Sequence, residues 1–372
     1  MGVVVNGGDA MKVVATAPAE MGLRAIGDWA ARVEGIGFDV IHVSETIHDP
    51  FAIAAMALSR TTRVAVRTSM ALAFPRSPMI MAYSAWDLAK YSNGRFQLGI
   101  ASQVRGNIVG RFSSPWSEPV ARLRDYIESL RAIFHSFQTG ERLDHAGPFY
   151  KFDRLQPYFN PGPIDHPVPQ IWTGGVNKKM CILAGELSDG FVCHPTNSHP
   201  LVLSTRTLPA IAEGARNAQL GRVMPAVVAN PQALMAASRG ALDALREPRR
   251  AELAFLYSTP AYRRQLEDFG LGHVGEALHE MARLSEWGDL SKHLTDEVMN
   301  RFVPEGTYAE MPDIIEDRYS GLCSGLSLPV SADNEHDTEL ADVVERCKTI
   351  PTSPNPVSLL TTADTKETDT KE

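Results

Sequence analysis

The sequence predicts an α/β protein built as a (β/α)8 TIM barrel, with a helical insertion before the last strand. Apolar strand-like runs alternate with helical runs along the 372 residues, and about eight strands can be counted. Strand, helix and strand also follow one another without a break between residues 63 and 104, which is the pattern of a parallel βαβ unit. Finally, polar residues gather after the strands, whereas glycines mark the turns before them.

The block from residue 63 to residue 104 gives the clearest local signals. Residues 64–74 form a largely apolar run that ends at Pro75, which cannot donate to a ladder. Ser77 offers a helix N-cap and Pro78 suits the first helical position. Because residues 96–101 then form a second apolar run, this block supplies the third and fourth strands of the barrel.

The remaining elements continue the alternation on both sides of this block. We predict further strands at residues 12–16, 38–45, 168–172, 189–194, 223–229 and 324–330. We predict helices at residues 22–34, 51–59, 117–137 with Ser117 as the cap, 178–187, 200–219 and 308–319. A polar connection spans residues 103–116.

The barrel is expected to occupy residues 12–331, after a leader of residues 1–11 in which Met11 is an alternative start. Two insertions interrupt it, at about residues 140–166 and 231–306. The first contains at most short strands near residues 149–152, and the second reads as successive helices. Residues 332–350 form a short C-terminal helix, and residues 351–372 have the composition of a disordered tail.

Charge and composition favour a cytoplasmic protein that binds neither nucleic acid nor a membrane. A net charge of −8 argues against a nucleic-acid or anionic-membrane surface. No apolar run reaches the roughly 18 residues that a spanning helix needs. The four cysteines show no CxxC pair and no metal-like spacing, so we expect buried, reduced thiols and no metal site.

Active sites of TIM barrels lie at the carboxyl ends of the strands, so the residues that follow each strand carry the functional prediction. These residues are Ser44, Glu45, Thr46, Ser69, Ser102, Gln103, Gly174, Gly175, Asn177, His194, Pro195 and Thr196. Hydroxyl and amide groups around a barrel mouth suit a polar cofactor better than a metal ion.

Residues 174–177 follow a predicted strand and open a helix. The free N–H groups at that helix start can hold a phosphate, with Lys178 and Lys179 nearby. A tight turn that needs positive φ at the glycines explains the same residues equally well. Residues 270–275 match the spacing of a dinucleotide fingerprint, but polar helical sequence precedes them, so we interpret them as an interhelical loop.

Two titratable residues follow the second strand and are candidates for proton transfer. Glu45 ends the strand and His48 lies just beyond it. The alternative is structural, with Asp49 capping the next helix and His48 facing solvent. His42 and His194 are interpreted as core or rim histidines rather than ligands.

Several motifs together resemble the luciferase-like monooxygenase superfamily, most closely a branch expected to use the deazaflavin coenzyme F420. The motifs are Arg76-Ser77-Pro78, Ala85-Trp86-Asp87-Leu88, Ser92-x-Gly94-Arg95-Phe96-x-Leu98-Gly99, Ser102-Gln103-Val104-Arg105 and Trp172-x-Gly174-Gly175. The similarity runs from about residue 12 to residue 330.

The resemblance implies a barrel of the bacterial-luciferase type, a homodimer, and a flavin or deazaflavin bound across the strand ends. It implies a non-proline cis bond between Ser69 and Met70. The cofactor-binding residues implied are Ser69, Met70, Ser102, Gln103 and Val104 at the ring, and Gly174, Gly175, Val176 and Asn177 at the phosphate-bearing tail.

One departure limits what the resemblance carries. Sugar-phosphate dehydrogenases of this superfamily have an acidic residue and a histidine at the end of the second strand, and a glutamate after the fourth. This chain has Glu45-Thr46 and Val104 at those positions. Their substrate and acid/base pair are therefore not transferred.

The leading expectation is a coenzyme F420-dependent oxidoreductase that transfers a hydride between C5 of the deazaflavin and an organic substrate. Glu45 is the expected residue for orienting the ring or handling a proton, with His48 second. The first alternative is a two-component flavin monooxygenase that uses FMNH2. The second is a non-catalytic barrel that binds the cofactor.

Overall fold

The computed structural model describes residues 10–218, 223–260 and 262–352. The strands are β1 (Lys12–Thr16), β2 (Val40–Val43), β3 (Ala65–Thr68), β4 (Ala71–Leu72), β5 (Phe96–Ala101), β6 (His145–Ala146), β7 (Lys151–Phe152), β8 (Ile171–Gly175), β9 (Gly190–Cys193), β10 (Ala226–Ala229), β11 (Leu234–Ala236), β12 (Glu305–Thr307) and β13 (Gly325–Leu328). The α-helices are α1 (Leu23–Ile36), α2 (Pro50–Ser59), α3 (Pro78–Tyr91), α4 (Pro119–Thr139), α5 (Lys178–Leu187), α6 (Pro200–Val202), α7 (Leu208–Asn217), α8 (Arg239–Tyr257), α9 (Arg264–Asp268), α10 (Gly272–Arg283), α11 (Asp296–Phe302), α12 (Met311–Tyr319) and α13 (Asp337–Lys348).

Eight strands close into a barrel, so the predicted (β/α)8 fold is confirmed. Their order is β3-β2-β1-β13-β10-β9-β8-β5, and β5 pairs back with β3 to complete the ring. The pairs β2–β3, β3–β5, β5–β8 and β10–β13 are all parallel. β4 continues the line of β3 after a break and pairs with the end of β5.

The chain divides into two compact units. The N-terminal unit comprises residues 15–175 and 183–192, and the C-terminal unit comprises the described residues of 10–14, 176–182 and 193–352.

In the N-terminal unit, α3 shows how local sequence signals set an element. The Ser77 hydroxyl accepts a hydrogen bond from the Met79 N–H, and Pro78 occupies the first turn, as predicted. Trp86 is fully buried on this helix, stacks on Phe134 of α4 and donates its indole N–H to the Gly162 carbonyl. That bond attaches the first insertion to the outer helices.

In the C-terminal unit, the second insertion has a hydrophobic core of its own. Its buried members include Leu242, Leu253, Tyr257, Leu266, Leu278 and Phe302. The prediction that this region contains only helices is wrong, because β11 lies within it and pairs in parallel with β12. The Leu234 N–H also donates to the Pro304 carbonyl at 2.8 Å, so the two ends of the insertion are joined to each other.

Several other boundaries differ from the predictions. The strand predicted at residues 38–45 is limited to Val40–Val43, and the helix predicted at residues 200–219 is interrupted by a π-helical turn, Leu203–Thr207, before α7. The single run predicted at residues 64–74 is interrupted between β3 and β4. β8 begins three residues later than predicted, because Pro169 has no N–H with which to enter a ladder. Ser117 does not cap α4, which begins at Pro119 after Glu118 without a side-chain cap.

The connection predicted at residues 103–116 contains a π-helical turn, Asn107–Arg111. Met11 is fully buried, so the folded part begins inside the predicted leader. Residues 1–9 of that leader and residues 353–372 of the predicted tail lie outside the described residues.

The interhelical loop predicted at residues 270–275 is shorter than expected. Residues 270–271 connect α9 to α10, whereas residues 272–275 form the first turn of α10. All four cysteines are buried and free. Among the helices described, none is long and apolar enough to span a bilayer.

Candidate active site

The end of β3 is marked by a cis peptide bond between Ser69 and Met70, as the resemblance implied. Hydrogen bonds to the end of β2 fix Ser69, the residue on the N-terminal side of the cis peptide bond. The Ser69 N–H donates to the Val43 carbonyl at 2.7 Å, and the Ser44 hydroxyl donates to the Ser69 carbonyl at 3.0 Å. The ends of the second and third strands are therefore held together at the mouth of the barrel.

Gly99 allows β3 and β5 to approach each other closely. A Cβ at position 99 would lie 1.9 Å from the Thr68 carbonyl oxygen, which no side chain can tolerate. The Thr68 hydroxyl instead donates to the Gly99 carbonyl at 2.8 Å and accepts from the Gly99 N–H at 2.9 Å. This contact sets the position of Ser69 relative to the neighbouring strand.

Met70 extends from the cis bond towards β5 and β8. A Cβ at Gly99 would lie 2.9 Å from the Met70 sulfur, and a Cβ at Gly174 would lie 3.2 Å from its methyl carbon. A side chain at position 174 would therefore be crowded by Met70. The alternative of a tight turn with positive φ is wrong for Gly174 and Gly175, because neither has positive φ.

The loop after β5 carries the other predicted ring contacts. Gln103 has a left-handed backbone, with φ of 59°, and its side-chain oxygen accepts from the Val104 N–H at 2.9 Å. The Ser102 hydroxyl donates to the Gln103 carbonyl at 3.3 Å. Within the described residues the amide nitrogen of Gln103 has no hydrogen bond. Arg111 in the π-helical turn donates to the Thr46 carbonyl, which joins this loop to the one after β2.

The N-terminal unit thus gathers part of the predicted cofactor site on the neighbouring strands β3, β5 and β8. The residues at these strand ends are Ser69, Met70, Ser102, Gln103, Val104, Gly174 and Gly175. Val176 and Asn177 belong to the C-terminal unit.

At the start of α5, Asn177 acts as a helix cap. Its side-chain oxygen accepts from the Met180 N–H at 3.0 Å. Lys178 is paired with Glu213 at 2.8 Å, so its charge is already partly balanced, whereas Lys179 is exposed. Phosphate binding at this helix start stays a prediction.

Glu45 is the most constrained carboxylate at the mouth. Its side chain is 6% exposed and accepts from the Leu72 N–H at 2.7 Å. Both of its oxygens accept from Nη1 of Arg76, at 2.9 and 2.7 Å. These bonds tie the end of β2 to β4, directly after the cis bond. The geometry favours a positioning role, and proton transfer by Glu45 stays a prediction.

Arg76 links Glu45 to Asp49, donating to the Asp49 carboxylate at 3.0 Å. Burial disfavours the Arg76 charge, but hydrogen bonds and attraction from Glu45 and Asp49 raise the pKa of Arg76 above its ordinary value. Asp49 also caps α2 by accepting from the Phe51 N–H at 3.0 Å, which confirms its capping role. His48 is half-buried, and no hydrogen bond to it is described.

Comparison with known proteins identifies the family. The family model described as luciferase-like monooxygenase matches residues 2–323 of this chain. The chain belongs to this family. It is 34% identical over 320 residues to "Uncharacterized protein Mb1395" of Mycobacterium bovis, covering 86% of this chain and 93% of that protein.

Two further comparisons connect this luciferase-like protein with coenzyme F420 proteins. It is 31% identical over 221 residues to an F420-dependent glucose-6-phosphate dehydrogenase of Intrasporangium calvum, covering 55% of this chain and 64% of that protein. The solved coenzyme F420-dependent tetrahydromethanopterin reductase from Methanopyrus kandleri superposes with a TM-score of 0.73 at 15% identity, covering 91% and 98% of the two chains. The second likeness shows the shared fold.

A buried polar layer that the sequence analysis missed lies below the cis bond. Phe96 packs outward on Phe51 of α2, so the alternate residue Gln97 faces the barrel interior. There Arg67, 2% exposed, donates to the Gln97 side-chain oxygen from Nε at 2.8 Å and to His42 Nε2 from Nη1 at 3.0 Å. Its guanidinium also lies 3.2 Å from the ring centroid of Trp172.

No carboxylate pairs with Arg67 among the described residues. Burial lowers the pKa of Arg67 well below its ordinary value, and burial together with the Arg67 charge lowers the pKa of His42. His42 is therefore neutral, with Nε2 assigned as the acceptor. The one signal in the sequence was an arginine inside an otherwise apolar strand.

His194 follows β9 and is a rim histidine, as predicted. Its Nδ1 accepts from the Thr196 N–H at 3.3 Å, and its ring stacks on Tyr262 with centroids 4.2 Å apart. Burial lowers the pKa of His194 to about 4. Among the described residues, no group of three or more His, Cys, Asp or Glu side chains is arranged to hold a metal ion.

Proposed function

We propose that this protein is a coenzyme F420-dependent oxidoreductase that transfers a hydride between C5 of the deazaflavin and an organic substrate. The observation that carries the proposal is the similarity to F420-dependent glucose-6-phosphate dehydrogenase over 221 residues. Support also comes from a relative named 5,10-methylenetetrahydromethanopterin reductase of Archaeoglobus fulgidus, 24% identical over 78% of this chain. The absence of the histidine after Glu45 argues against a sugar phosphate as the substrate.

The strand ends of the N-terminal unit fit the polar edge of a heterocyclic ring. Ser69 and Gln103 are half-buried, and the Ser69 hydroxyl and the Gln103 amide nitrogen have no described hydrogen-bond partner. Glu45, which follows the neighbouring strand β2, is already held by Arg76. The group therefore offers uncharged donors to a ring that carries carbonyl oxygens.

In this proposal, Ser69, Met70, Ser102, Gln103 and Val104 hold the ring. Gly174 and Gly175 lie at the end of the adjacent strand and are assigned to the phosphate-bearing tail. The same assignment for Val176 and Asn177 rests on the resemblance.

The bound coenzyme would supply the hydride donor or acceptor, and the protein would supply position and a dry environment. Gln103 would donate to the ring edge from its free amide nitrogen. Glu45 would keep the backbone that follows Met70 in place through the Leu72 N–H and Arg76. His48 is the second group available for a proton, because no hydrogen bond to it is described.

The test is a titration of the purified protein with coenzyme F420 and, separately, with FMN, followed by fluorescence quenching. Tighter binding of the deazaflavin supports the proposal. Binding of FMN alone would favour the two-component monooxygenase instead. Deazaflavin binding without consumption of the reduced coenzyme across a broad substrate panel would favour a non-catalytic barrel.

We also propose that the protein is a homodimer, as the resemblance implies. Light scattering coupled to size exclusion should give twice the 40.7 kDa mass of the chain. The mass of a single chain would reject the dimer.

A further inference from the structure

The C-terminal unit contains a cavity of about 530 Å³ that the proposed function does not use. It lies between β11, α8 and the segment that follows β13. Leu234, Met235 and Leu245 line one side, and Arg249 and Glu252 are the charged groups that α8 contributes. The volume lies within the range of about 300–1,000 Å³ typical of small-molecule sites.

Arg249 lines the cavity and has a donor that no described hydrogen bond uses. Its Nη1 donates to the Gln232 side-chain oxygen and, at 2.7 Å, to Glu252. Its Nε is buried without a hydrogen-bond partner, so a ligand in the cavity cannot reach it. Nη2 has no described partner either and is not among the buried atoms, so it is the donor that a ligand can reach.

We propose that this cavity binds an organic acid with an apolar body. The carboxylate accepts from Nη2 of Arg249, and the apolar body lies against Leu234, Met235 and Leu245. A donor without a partner favours a ligand that carries an acceptor, and the positive charge of the guanidinium favours a carboxylate over a neutral carbonyl.

The charges around the cavity restrict the acid to a single negative charge. Glu252 already balances part of the Arg249 charge, and Asp333 also lines the cavity. A second negative charge on the ligand would face these carboxylates without a cation of its own. A monocarboxylate therefore fits better than a phosphate ester.

All of these residues belong to the C-terminal unit, so the inference stands independently of coenzyme binding. Calorimetric titration of the full chain without coenzyme can test it with octanoate, octanamide and octyl phosphate as probes. We expect octanoate to bind at one site. The affinities of octanamide and octyl phosphate should each be lower by at least about tenfold. Equal affinities for octanoate and octanamide, or no binding of octanoate, would overturn the proposal.

Variants connect that binding to the cavity. Arg249→Gln should weaken octanoate binding at least tenfold, whereas Arg239→Gln should not change it. Arg239 lies on the same helix, pairs with Glu310 at the surface and does not line the cavity. Glu252→Gln should tighten octanoate binding, because it removes the competing carboxylate.

A second variant keeps the test decisive if Arg249→Gln fails to fold. Ala241 lines the cavity from the exposed side of α8, so Ala241→Phe should fill the space and abolish binding of octanoate and octanamide alike. Unchanged octanoate binding in Ala241→Phe would show that the acid binds elsewhere.

Discussion

The guanidinium of Arg67 lies 3.2 Å from the centroid of the Trp172 ring, inside the barrel. Gly190 also packs against the Trp172 ring. A Cβ at position 190 would lie 2.2 Å from a ring carbon of Trp172. Trp172 therefore fits between a backbone without a side chain and a buried cation. The ring face, the Gln97 oxygen and His42 take the place of a carboxylate as partners of Arg67.

Trp172→Leu should destabilise the protein by about 3 kcal/mol, because it leaves a cavity beside Gly190 and removes the ring from a buried charge. Urea unfolding followed by circular dichroism measures the change. Trp287→Leu is the matched control, since Trp287 is 53% exposed, and should change stability by less than about 1 kcal/mol. A loss of stability below about 1 kcal/mol for Trp172→Leu would contradict the role given to the ring.

Gly99→Ala should cost more than about 3 kcal/mol, because the new methyl group meets the rigid backbone oxygen of Thr68. Gly174→Ala should cost less, about 1 kcal/mol. The Met70 methyl group can move away from the new Cβ, so only the contact with the fixed Val192 carbonyl remains. Gly35→Ala is the control. It lies in α1 with open space around it and should stabilise by about 0.5–1 kcal/mol. Thermal unfolding of the three variants ranks them, and equal effects at Gly99 and Gly174 would be inconsistent with this packing.

Stability should fall as the pH drops from 6.5 towards 4. The folded-state pKa of His194 is lowered to about 4, so the unfolded chain takes up a proton first and the stabilisation present above pH 6.5 is lost on acidification. A shift of this size corresponds to at most roughly 3 kcal/mol. His194→Gln should therefore make the stability profile shallower between pH 6.5 and 4. The profile should not become flat, because burial also lowers the pKa of His199 to about 4 and lowers the pKa of His42. His135→Gln, at an exposed histidine, is the matched control. A wild-type profile in His194→Gln would contradict the prediction.

Glu45→Gln should weaken coenzyme binding roughly tenfold and lower turnover by a similar factor. The substitution removes the negative charge that accepts hydrogen bonds from Arg76 and the Leu72 N–H. A charge-assisted hydrogen bond contributes about 1.5–3 kcal/mol. Separate measurements of Kd by fluorescence and of kcat decide between the two roles. A loss of turnover far larger than the loss of affinity would show that Glu45 handles a proton. Asp49→Asn removes the charge of the other carboxylate that pairs with Arg76, and it serves as the control.

Local signals account for the parts of the fold that the sequence predicts well. The N-cap of Ser77 and the position of Pro78 depend on neighbouring residues, so α3 and the start of β5 agree with the prediction. The pairing of β11 with β12 was missed because it joins residues about seventy positions apart. Periodicity in a three-residue strand carries too little information to reveal such a pair.

The candidate site was predictable as a set of strand ends but not as a set of contacts. The sequence indicates that Ser69 and Gln103 follow strands, whereas the fixing of Glu45 by Arg76 depends on how three loops meet. The layer of Arg67, His42 and Gln97 likewise depends on which face of each strand turns inward.

The central claim is that a deazaflavin binds at the strand ends beside Ser69 and Gln103. The most direct measurement compares coenzyme F420 and FMN binding to the wild type and to Gln103→Asn, which keeps a residue tolerant of the left-handed backbone but shortens the amide. The proposal predicts that the wild type prefers coenzyme F420 and that the variant binds it about tenfold more weakly, with octanoate binding unchanged. Tighter binding of FMN by the wild type, or no loss of affinity for coenzyme F420 in the variant, would contradict it.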